Sequence, residues 1–234
     1  MTRLIIDFSA YTFLLVTTLA GAAARGDQEF DLFPNRSFDE WKMYDGSPAP
    51  GGWEWTEQGE LHIKDLRGRK GSLLSKREFG DFDLSFEWRI SERGNSGIKY
   101  RVTRFQNKWG GIEYQLQDDL SRNFAPKSKG NTAAIYDMVA PAADKSLKPV
   151  GEFNRSRIRV ENNTIRHWLN GVLVTQAEIG SDDWNGRYAQ SKFSELQDWG
   201  QAREGRLMIT DHSRDVWFRN FQLKLLSAPT EPGK

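Results

Sequence analysis

The chain has 234 residues, and its 33 lysines and arginines nearly balance 32 aspartates and glutamates, giving a formal net charge of +1. A nucleic-acid-binding domain needs a basic stripe and a high pI, so this balance argues against that class of protein. The sequence contains no cysteine, which excludes thiolate chemistry and cysteine-based metal sites. Aromatic residues make up 12% of the chain and include nine tryptophans, which favours a β protein with an aromatic-rich groove.

The first 24 residues have the three-part layout of a secretory signal peptide. Arg3 precedes an apolar run that ends at Leu19, and small residues follow as far as Ala24. A membrane anchor is the alternative, but Asp7 and several hydroxyl residues leave the apolar stretch too short to span a bilayer. We therefore predict cleavage near Ala24, export to a periplasm or the cell exterior, and no integral membrane segment in the mature protein.

Short alternating segments separated by turn signals follow in the predicted mature domain, residues 25–226, and indicate an all-β sandwich or barrel. The clearest are 82–90, 98–102 and 112–117, whose apolar side chains are predicted to face a core. The polar side chains between them are Glu87, Arg89, Lys99, Arg101, Glu113 and Gln115. We predict that these six lie on one concave face, because the three successive strands share the same alternation.

The second half of the chain combines strands with three other features. Residues 119–133 are polar and lack periodicity, which predicts a long loop. Ser181 is a helix N-cap before two aspartates, and it predicts one short helix near 182–195. The strand at 216–225 is predicted to contain a bulge at Asn220, and the tail at 227–234 is predicted to be disordered.

Ten segments in chain order resemble the 3-keto-disaccharide hydrolase family, also described as 3-keto-glucoside 1,2-lyase and 3-keto-2-hydroxyglucal hydratase. They are DLFPNRSFDEWK, GELHIKD, FGDFDLSFEWRI, NSGIKYRV, GIEYQLQDD, AAIYDMVAP, GEFNRSRIRV, HWLNGV, SKFSEL and DHSRDVWFRN. The resemblance implies a concanavalin A-like lectin/glucanase jelly roll of two antiparallel sheets, with the sugar on the concave sheet. It also implies export and action on oxidised glucosides. One position departs from the family pattern, since Ser213 stands where a glycine usually follows the late Asp-His pair.

The segment from Glu113 to Asp118 carries the first catalytic candidates. Glu113 and Gln115 share a face of a regular strand, and Asp118 joins them only if a bulge intervenes. Laminarinase-type glucanases, which the segment resembles, have an acid at the middle position. Gln115 at that position weakens the case for a direct glycosidase with two carboxylates. An ion pair between Glu113 and Arg101 across neighbouring strands is the structural alternative.

A 3-keto sugar has an acidified hydrogen on C2, so a base can remove it and the resulting enolate can expel the C1 substituent. Such a site needs a base and a fixed donor for the developing oxygen charge. We predict that Arg101 holds this charge, since its guanidinium is always ionised, and that Glu113 or Asp118 transfers the proton. His212, next to Asp211, is the fallback base; a solvent-facing Arg101 and a surface His212 are the alternatives.

Five further residues are predicted to bind substrate: Asn95, Lys99, Gln115, Tyr136 and Asn154. The structural alternatives are a turn for Asn95, the core for Tyr136, and a cap or turn for Asn154. His167 shares a face with apolar neighbours and is predicted to be a core histidine. No metal-binding motif is present, so the sequence gives no positive argument for a metal or another cofactor; a divalent ion held by carboxylates and glutamine stays open.

The resemblance thus predicts an exported enzyme that cleaves 3-keto-glucosides by elimination, by hydration, or by both as net hydrolysis. Its partners are oxidised glucosides or other saccharides, and nucleic acid is not among them. A non-catalytic lectin-like binding module is one alternative, because this kind of fold does not fix function. An ordinary glucan hydrolase is the other.

Overall fold

The computed structural model describes residues 28–63, 71–105, 107–121 and 128–226. The predicted signal peptide, the tail at 227–234 and part of the predicted loop at 119–133 lie outside these ranges. The described elements are β1 (Gln28–Phe30), β2 (Trp41–Met43), β3 (Trp53–Trp55), β4 (Leu61–Ile63), β5 (Leu73–Phe79), β6 (Phe82–Ile90), β7 (Asn95–Phe105), β8 (Lys108–Gln117), β9 (Asn154–Glu161), β10 (Thr164–Leu169), β11 (Val172–Glu178), α1 (Asp182–Ala189), β12 (Gly205–Ile209) and β13 (Val216–Leu225).

The strands form two antiparallel sheets. The large sheet has the order β11-β10-β9-β6-β13-β4-β3, with β1 also paired to β13, and the small sheet has the order β2-β5-β12-β7-β8. Strands that neighbour each other in the chain often lie in different sheets, as β4 and β5 do. The prediction of an all-β sandwich of two antiparallel sheets is therefore confirmed.

One apolar core lies between the sheets, and the predicted alternation accounts for it. Every second residue of β6, from Phe82 to Ile90, is buried in this core. Ile98 and Tyr100 of β7 and Tyr114 of β8 enter it from the small sheet. The side chains that alternate with these residues consequently lie on the outer face of each sheet.

His167 is fully buried, as predicted for a core histidine. Its Nε2 lies 2.9 Å from the Tyr100 hydroxyl, and its Nδ1 lies 3.0 Å from the carbonyl oxygen of Ala133. Burial lowers the pKa of His167 to about 3, so the ring is neutral at physiological pH.

Two further predictions of local structure are confirmed. The Ser181 hydroxyl accepts a hydrogen bond from the backbone N–H of Trp184 and caps α1, which ends at Ala189, earlier than predicted. In β13 the pairing register with β6 shifts between Arg219 and Gln222, and Asn220 adopts a φ of 54°, as a bulge there requires. None of the helices in the described ranges is long and apolar enough to cross a membrane.

The prediction that six polar residues share one face is wrong. Glu87 and Arg89 lie on the outer face of the large sheet, where they pair with Arg219 and Glu60, each at 2.8 Å. Lys99, Glu113 and Gln115 project instead from strands of the small sheet. The period of two fixes which side chains alternate, but it does not show that the chain changes sheets between β6 and β7.

Arg101 leaves the common face for a different reason, a bulge in β7. The register between β7 and β8 shifts after Tyr100, and Arg101 has a left-handed φ of 47°. Its Nη2 donates to Asp81 Oδ1 at 3.0 Å and to the carbonyl oxygen of Asn162 at 2.8 Å. Arg101 therefore connects two turns that adjoin strands of the large sheet, and the ion pair with Glu113, which was the structural alternative, does not form.

Candidate active site

The candidate site begins with a cross-strand pair on the outer face of the small sheet. Lys99 of β7 stands opposite Glu113 of β8, and Lys99 Nζ lies 3.6 Å from Glu113 Oε2. Side chains opposite each other on one face of an antiparallel pair are close enough to interact. The carboxylate and the ammonium are thus held together by the sheet itself.

Gly97 makes room for the Glu113 side chain. It follows Asn95 by two residues on the same face of β7, and it stands opposite Gln115. A Cβ at position 97 would lie 2.4 Å from Glu113 Oε1. The Glu113 carboxylate therefore occupies the space that a side chain at Gly97 would fill.

A row of amides continues the site along β8. Gln115 Nε2 donates to Asn95 Oδ1 at 2.8 Å, and it also lies 3.4 Å from Gln117 Oε1. Gln115 and Gln117 are each 3% exposed. The structure thus brings together four predicted site residues, namely Asn95, Lys99, Glu113 and Gln115.

The segment 131–139 forms a wall along the outer edge of β8. Tyr136 N–H donates to the Glu113 carbonyl oxygen at 3.0 Å, and Ala133 N–H donates to that of Gln115 at 2.8 Å. Asp137 Oδ2 accepts from the backbone N–H of Lys192 at 2.7 Å. Lys192 Nζ then lies 4.0 Å from the centre of the Tyr136 ring, so a fifth predicted residue, Tyr136, joins the site.

Burial dominates the electrostatics of Glu113, which is 5% exposed. Removal from water raises the pKa of the Glu113 carboxyl, and the positive charges of Lys99 and Lys192 oppose the shift. The Thr210 side chain also lowers it, but the net direction is upward. A carboxylate with a raised pKa is a stronger base, which suits a role in proton transfer beside cationic groups.

Gln117 Nε2, at the end of this row, is buried and has no hydrogen-bond partner among the described residues, whereas the Thr210 side chain interacts with the Glu113 carboxylate. Thr210 belongs here because its backbone N–H donates to the Gly97 carbonyl oxygen at 2.9 Å. A buried polar atom without a partner costs roughly 1–3 kcal/mol. The cost of leaving Gln117 Nε2 without a partner indicates a position built to meet an acceptor oxygen of a ligand.

Asp118 is not part of this row, because β8 has no bulge between 113 and 117. Its Oδ2 accepts from Arg93 N–H at 2.9 Å, and its Oδ1 accepts from the N–H groups of Leu120 and Ser121. Asp118 therefore caps a turn. Its side chain lines a separate cavity of about 770 Å³, called the end cavity, at the end of β8.

Asn154 lines the same end cavity from β9 of the large sheet. Its Oδ1 accepts from Lys148 N–H at 3.0 Å and from Asn170 Nδ2 at 2.8 Å, which fixes the loop before β9 to the β10–β11 hairpin. The structure thus separates Asp118 and Asn154 from Glu113.

His212 lies half-buried in the loop between β12 and β13, two residues beyond Thr210. The neighbouring Asp211 carboxylate accepts from Gly71 N–H at 2.9 Å and from Ser213 N–H at 2.7 Å. Ser213 has a φ of 65°, in the left-handed region that favours glycine. Ser213 thus adopts a backbone conformation that a glycine would adopt without strain.

Sequence reasoning missed three contributors to the site: Gln117, Lys192 and Thr210. Gln117 continues the alternation of Glu113 and Gln115, so the period of two contained its signal. Lys192 lies within SKFSEL, one of the segments that carry the family resemblance, but its loop has no periodicity that gives it a direction. In the described residues, no group of three or more histidines, aspartates and glutamates is arranged to hold a metal ion.

Solved structures with similar folds define the class of protein. The fold matches a candidate glycosyl hydrolase from Parabacteroides distasonis with a TM-score of 0.75 and 27% identity, covering 85% of this chain and 94% of that one. It also matches a Bacillus subtilis protein with a galectin-like fold at a TM-score of 0.52 and 11% identity, covering 88% and 99%. The chain is thus a β-sandwich of the lectin/glucanase jelly-roll class, as the resemblance implied.

Within that class the assignment is specific. Residues 29–224 match the family of 3-keto-alpha-glucoside-1,2-lyase-like domains, and the chain belongs to this family. A 3-keto-disaccharide hydrolase from Bacteroides thetaiotaomicron is 29% identical over 232 residues, covering 86% of this chain and 79% of the relative.

Proposed function

We propose that the protein is an exported carbohydrate-active enzyme that cleaves 3-keto-glucosides, with Glu113 as the base. The observation that carries this proposal is the buried Glu113 carboxylate, whose pKa is raised and which lies beside Lys99 and Lys192. Family membership and the printed name of the Bacteroides relative support the substrate class. In this proposal Lys99 and Lys192 take the role first assigned to Arg101.

The chemistry begins at C2, whose hydrogen is acidified by the C3 ketone. The Glu113 carboxylate accepts the C2 proton, and negative charge develops on the ketone oxygen. The ammonium groups of Lys99 and Lys192 are the fixed positive charges that stabilise this enolate. Tyr136, Gln115 and Asn95 surround the same face and bind sugar hydroxyls.

Collapse of the enolate then breaks the C1–O bond and expels the leaving group, whose oxygen takes up a proton from water, while Glu113 keeps the C2 proton. The remaining sugar has a C1–C2 double bond conjugated with the ketone. Addition of water across this bond places a hydroxyl on C1 and returns a proton to C2. Elimination followed by hydration is therefore net hydrolysis, and it requires no nucleophilic carboxylate.

Gln115 supports this route over direct glycoside hydrolysis. Retaining and inverting glycosidases use two carboxyl groups on either side of the scissile bond. The residues that continue the row from Glu113 along β8 are the amides Gln115 and Gln117, while the charged neighbours of Glu113 are lysines. One base with cationic neighbours fits an elimination better.

Incubation with a 3-keto-glucoside and with its unoxidised parent tests the proposal. We expect cleavage of the ketone alone, since only the ketone acidifies the C2 hydrogen. Chromatography of the released aglycone and sugar is the measurement. Cleavage of both compounds would favour an ordinary glucan hydrolase, and binding of both without turnover would favour a lectin-like module.

Export is proposed from the predicted signal peptide at residues 1–24. We expect the native protein to begin near Arg25, because the small residues up to Ala24 suit a signal peptidase. Mass spectrometry of the purified native protein measures this N-terminus. An intact Met1 in a cytoplasmic fraction would contradict export.

A further inference from the structure

The end cavity has the size of a small-molecule site. Its volume of about 770 Å³ falls within the range of roughly 300–1,000 Å³ that is usual for ligand pockets. The ends of β6 and β8, the start of β9 and the loop 143–150 enclose it. None of the residues to which the proposed chemistry assigns a role lines this cavity.

Its wall and rim are largely apolar. Ile90, Leu147 and Pro149 contribute to the lining, and Leu120 and Val150 stand beside them. Leu120 is 87% exposed and Val150 is 42% exposed, which makes them two of the four large hydrophobic residues exposed in the described part of the chain. Exposed apolar side chains that gather around a cavity are typical of a binding rim.

Gln117 connects the end cavity to the candidate active site. Its Oε1 lies 3.4 Å from Gln115 Nε2, and the same residue lines the cavity. Gln117 Nε2 is buried and has no hydrogen-bond partner among the described residues. Because Gln117 is four residues from Glu113 on one strand, about 13 Å separates them along β8. The row of Gln115 and Gln117 therefore leads from Glu113 to the end cavity.

The charges around the end cavity disfavour an anionic occupant. Four carboxylates and two lysines line it: Glu92, Asp118, Asp119, Glu152, Lys145 and Lys148. Lys145 Nζ is already paired with Asp119 Oδ2 at 2.8 Å. An additional anion would therefore meet net negative charge.

We propose that the end cavity holds the aglycone of the substrate and that this aglycone is neutral, largely apolar and carries an oxygen acceptor for Gln117 Nε2. A phenolic leaving group with a second oxygen on its ring has these properties. This inference rests on the function proposed for Glu113, and it names the substrate class of that site.

A double variant of the rim tests the inference. Leu120→Ser/Val150→Ser removes apolar contacts at exposed positions. Val172→Ser/Leu173→Ser is the matched control, since these residues are 55% and 43% exposed at the start of β11.

The substrates are phenyl, 4-carboxyphenyl and methyl 3-keto-glucosides. Phenolate leaves more easily than methoxide, so the wild-type ratio of phenyl to methyl in kcat/KM is the reference and its change in the variants reports on the cavity. The carboxylated ring should be disfavoured although it is no poorer a leaving group. The rim variant should reduce the phenyl-to-methyl ratio by about fivefold, and the control should leave it unchanged.

A binding measurement separates this inference from the function of Glu113. Calorimetry with unoxidised phenyl glucoside reports occupancy without turnover, and we expect weaker binding in the rim variant alone. If no 3-keto-glucoside is cleaved but this difference in binding remains, the function proposed for Glu113 fails and the aglycone cavity stands. Equal effects of the two double variants would contradict the assignment of the end cavity to the aglycone. So would a dimer of the wild-type protein that the rim variant abolishes while phenyl glucoside binding stays unchanged.

Discussion

Glu113→Gln is expected to lower kcat on a 3-keto-glucoside by about 100- to 10,000-fold, the usual contribution of a positioned general base. The amide has the shape of the carboxylate and fits the space above Gly97, but it cannot accept the C2 proton. The free energy of unfolding should change little, because burial already disfavours the charged form of Glu113. Turnover and thermal unfolding, measured on one preparation, separate these two effects.

Glu87→Gln is the matched control for this change. Glu87 is also a strand glutamate paired with a cation, Arg219, at 2.8 Å, but it lies on the outer face of the large sheet. The Glu87→Gln variant should therefore keep wild-type turnover. Equal turnover of Glu113→Gln and the wild-type enzyme would refute the assignment of the base and would move the search to His212 and Asp211.

The pH dependence gives a second check on Glu113. A base works when deprotonated, so kcat/KM should rise with pH through the raised pKa of Glu113, and this limb should vanish in Glu113→Gln. The contribution of Glu113 to the free energy of unfolding should change with pH in the opposite direction. Because the folded state binds the Glu113 proton more tightly than the unfolded chain does, the free energy of unfolding contributed by this group falls as pH rises from the unfolded-state pKa through the folded-state pKa.

The residues show which parts of the fold the sequence could predict. Alternation within β6, β7 and β8 identifies buried and outward side chains, because a core on one side imposes a period of two. The N-cap at Ser181 and the bulge at Asn220 follow from local backbone preferences. These are properties of short segments, and they need no knowledge of the partner strands.

The site was predictable only where it follows this local pattern. Lys99, Glu113 and Gln115 were grouped correctly because they alternate on two strands that pair with each other. Glu87 was grouped with them wrongly, since a change of sheet leaves the alternation intact. Lys192 reaches Tyr136 from a loop whose position depends on tertiary contacts, and no periodic signal encodes such a contact.

The end cavity also could not be predicted from local sequence patterns. Asp118 and Asn154 were selected for their chemical types, yet both serve as acceptors that fix turns. The apolar rim was not predicted, because Leu120 and Val150 lie in segments with no alternation. A cavity formed by the ends of several elements depends on how those elements meet, and that geometry is not local to any of them.

Arg101 is expected to act on stability and not on turnover, which reverses the role predicted from the sequence. Its side chain is 1% exposed, and that of its partner Asp81 is 18% exposed. Removing one member of a buried ion pair costs roughly 3–5 kcal/mol. For Arg101→Met we expect about 3 kcal/mol, the lower end of this range, because Asp81 keeps some contact with water. The Arg101→Met change also removes two buried nitrogens, Nε and Nη1, which lack hydrogen-bond partners among the described residues.

Chemical unfolding and turnover per folded molecule, measured on Arg101→Met, Asp81→Asn and the double variant, decide between the two roles of Arg101. If the pair is structural, the two single changes should not be additive in the free energy of unfolding, because they remove the same interaction. Turnover per folded molecule should stay at the wild-type level in all three, since the bulge turns Arg101 away from the Glu113 face. Arg101→Lys should unfold at a stability between the wild type and Arg101→Met, because it keeps the charge but loses the planar guanidinium. A large loss of turnover in a fully stable Arg101→Met variant would instead support the role of Arg101 in stabilising the enolate.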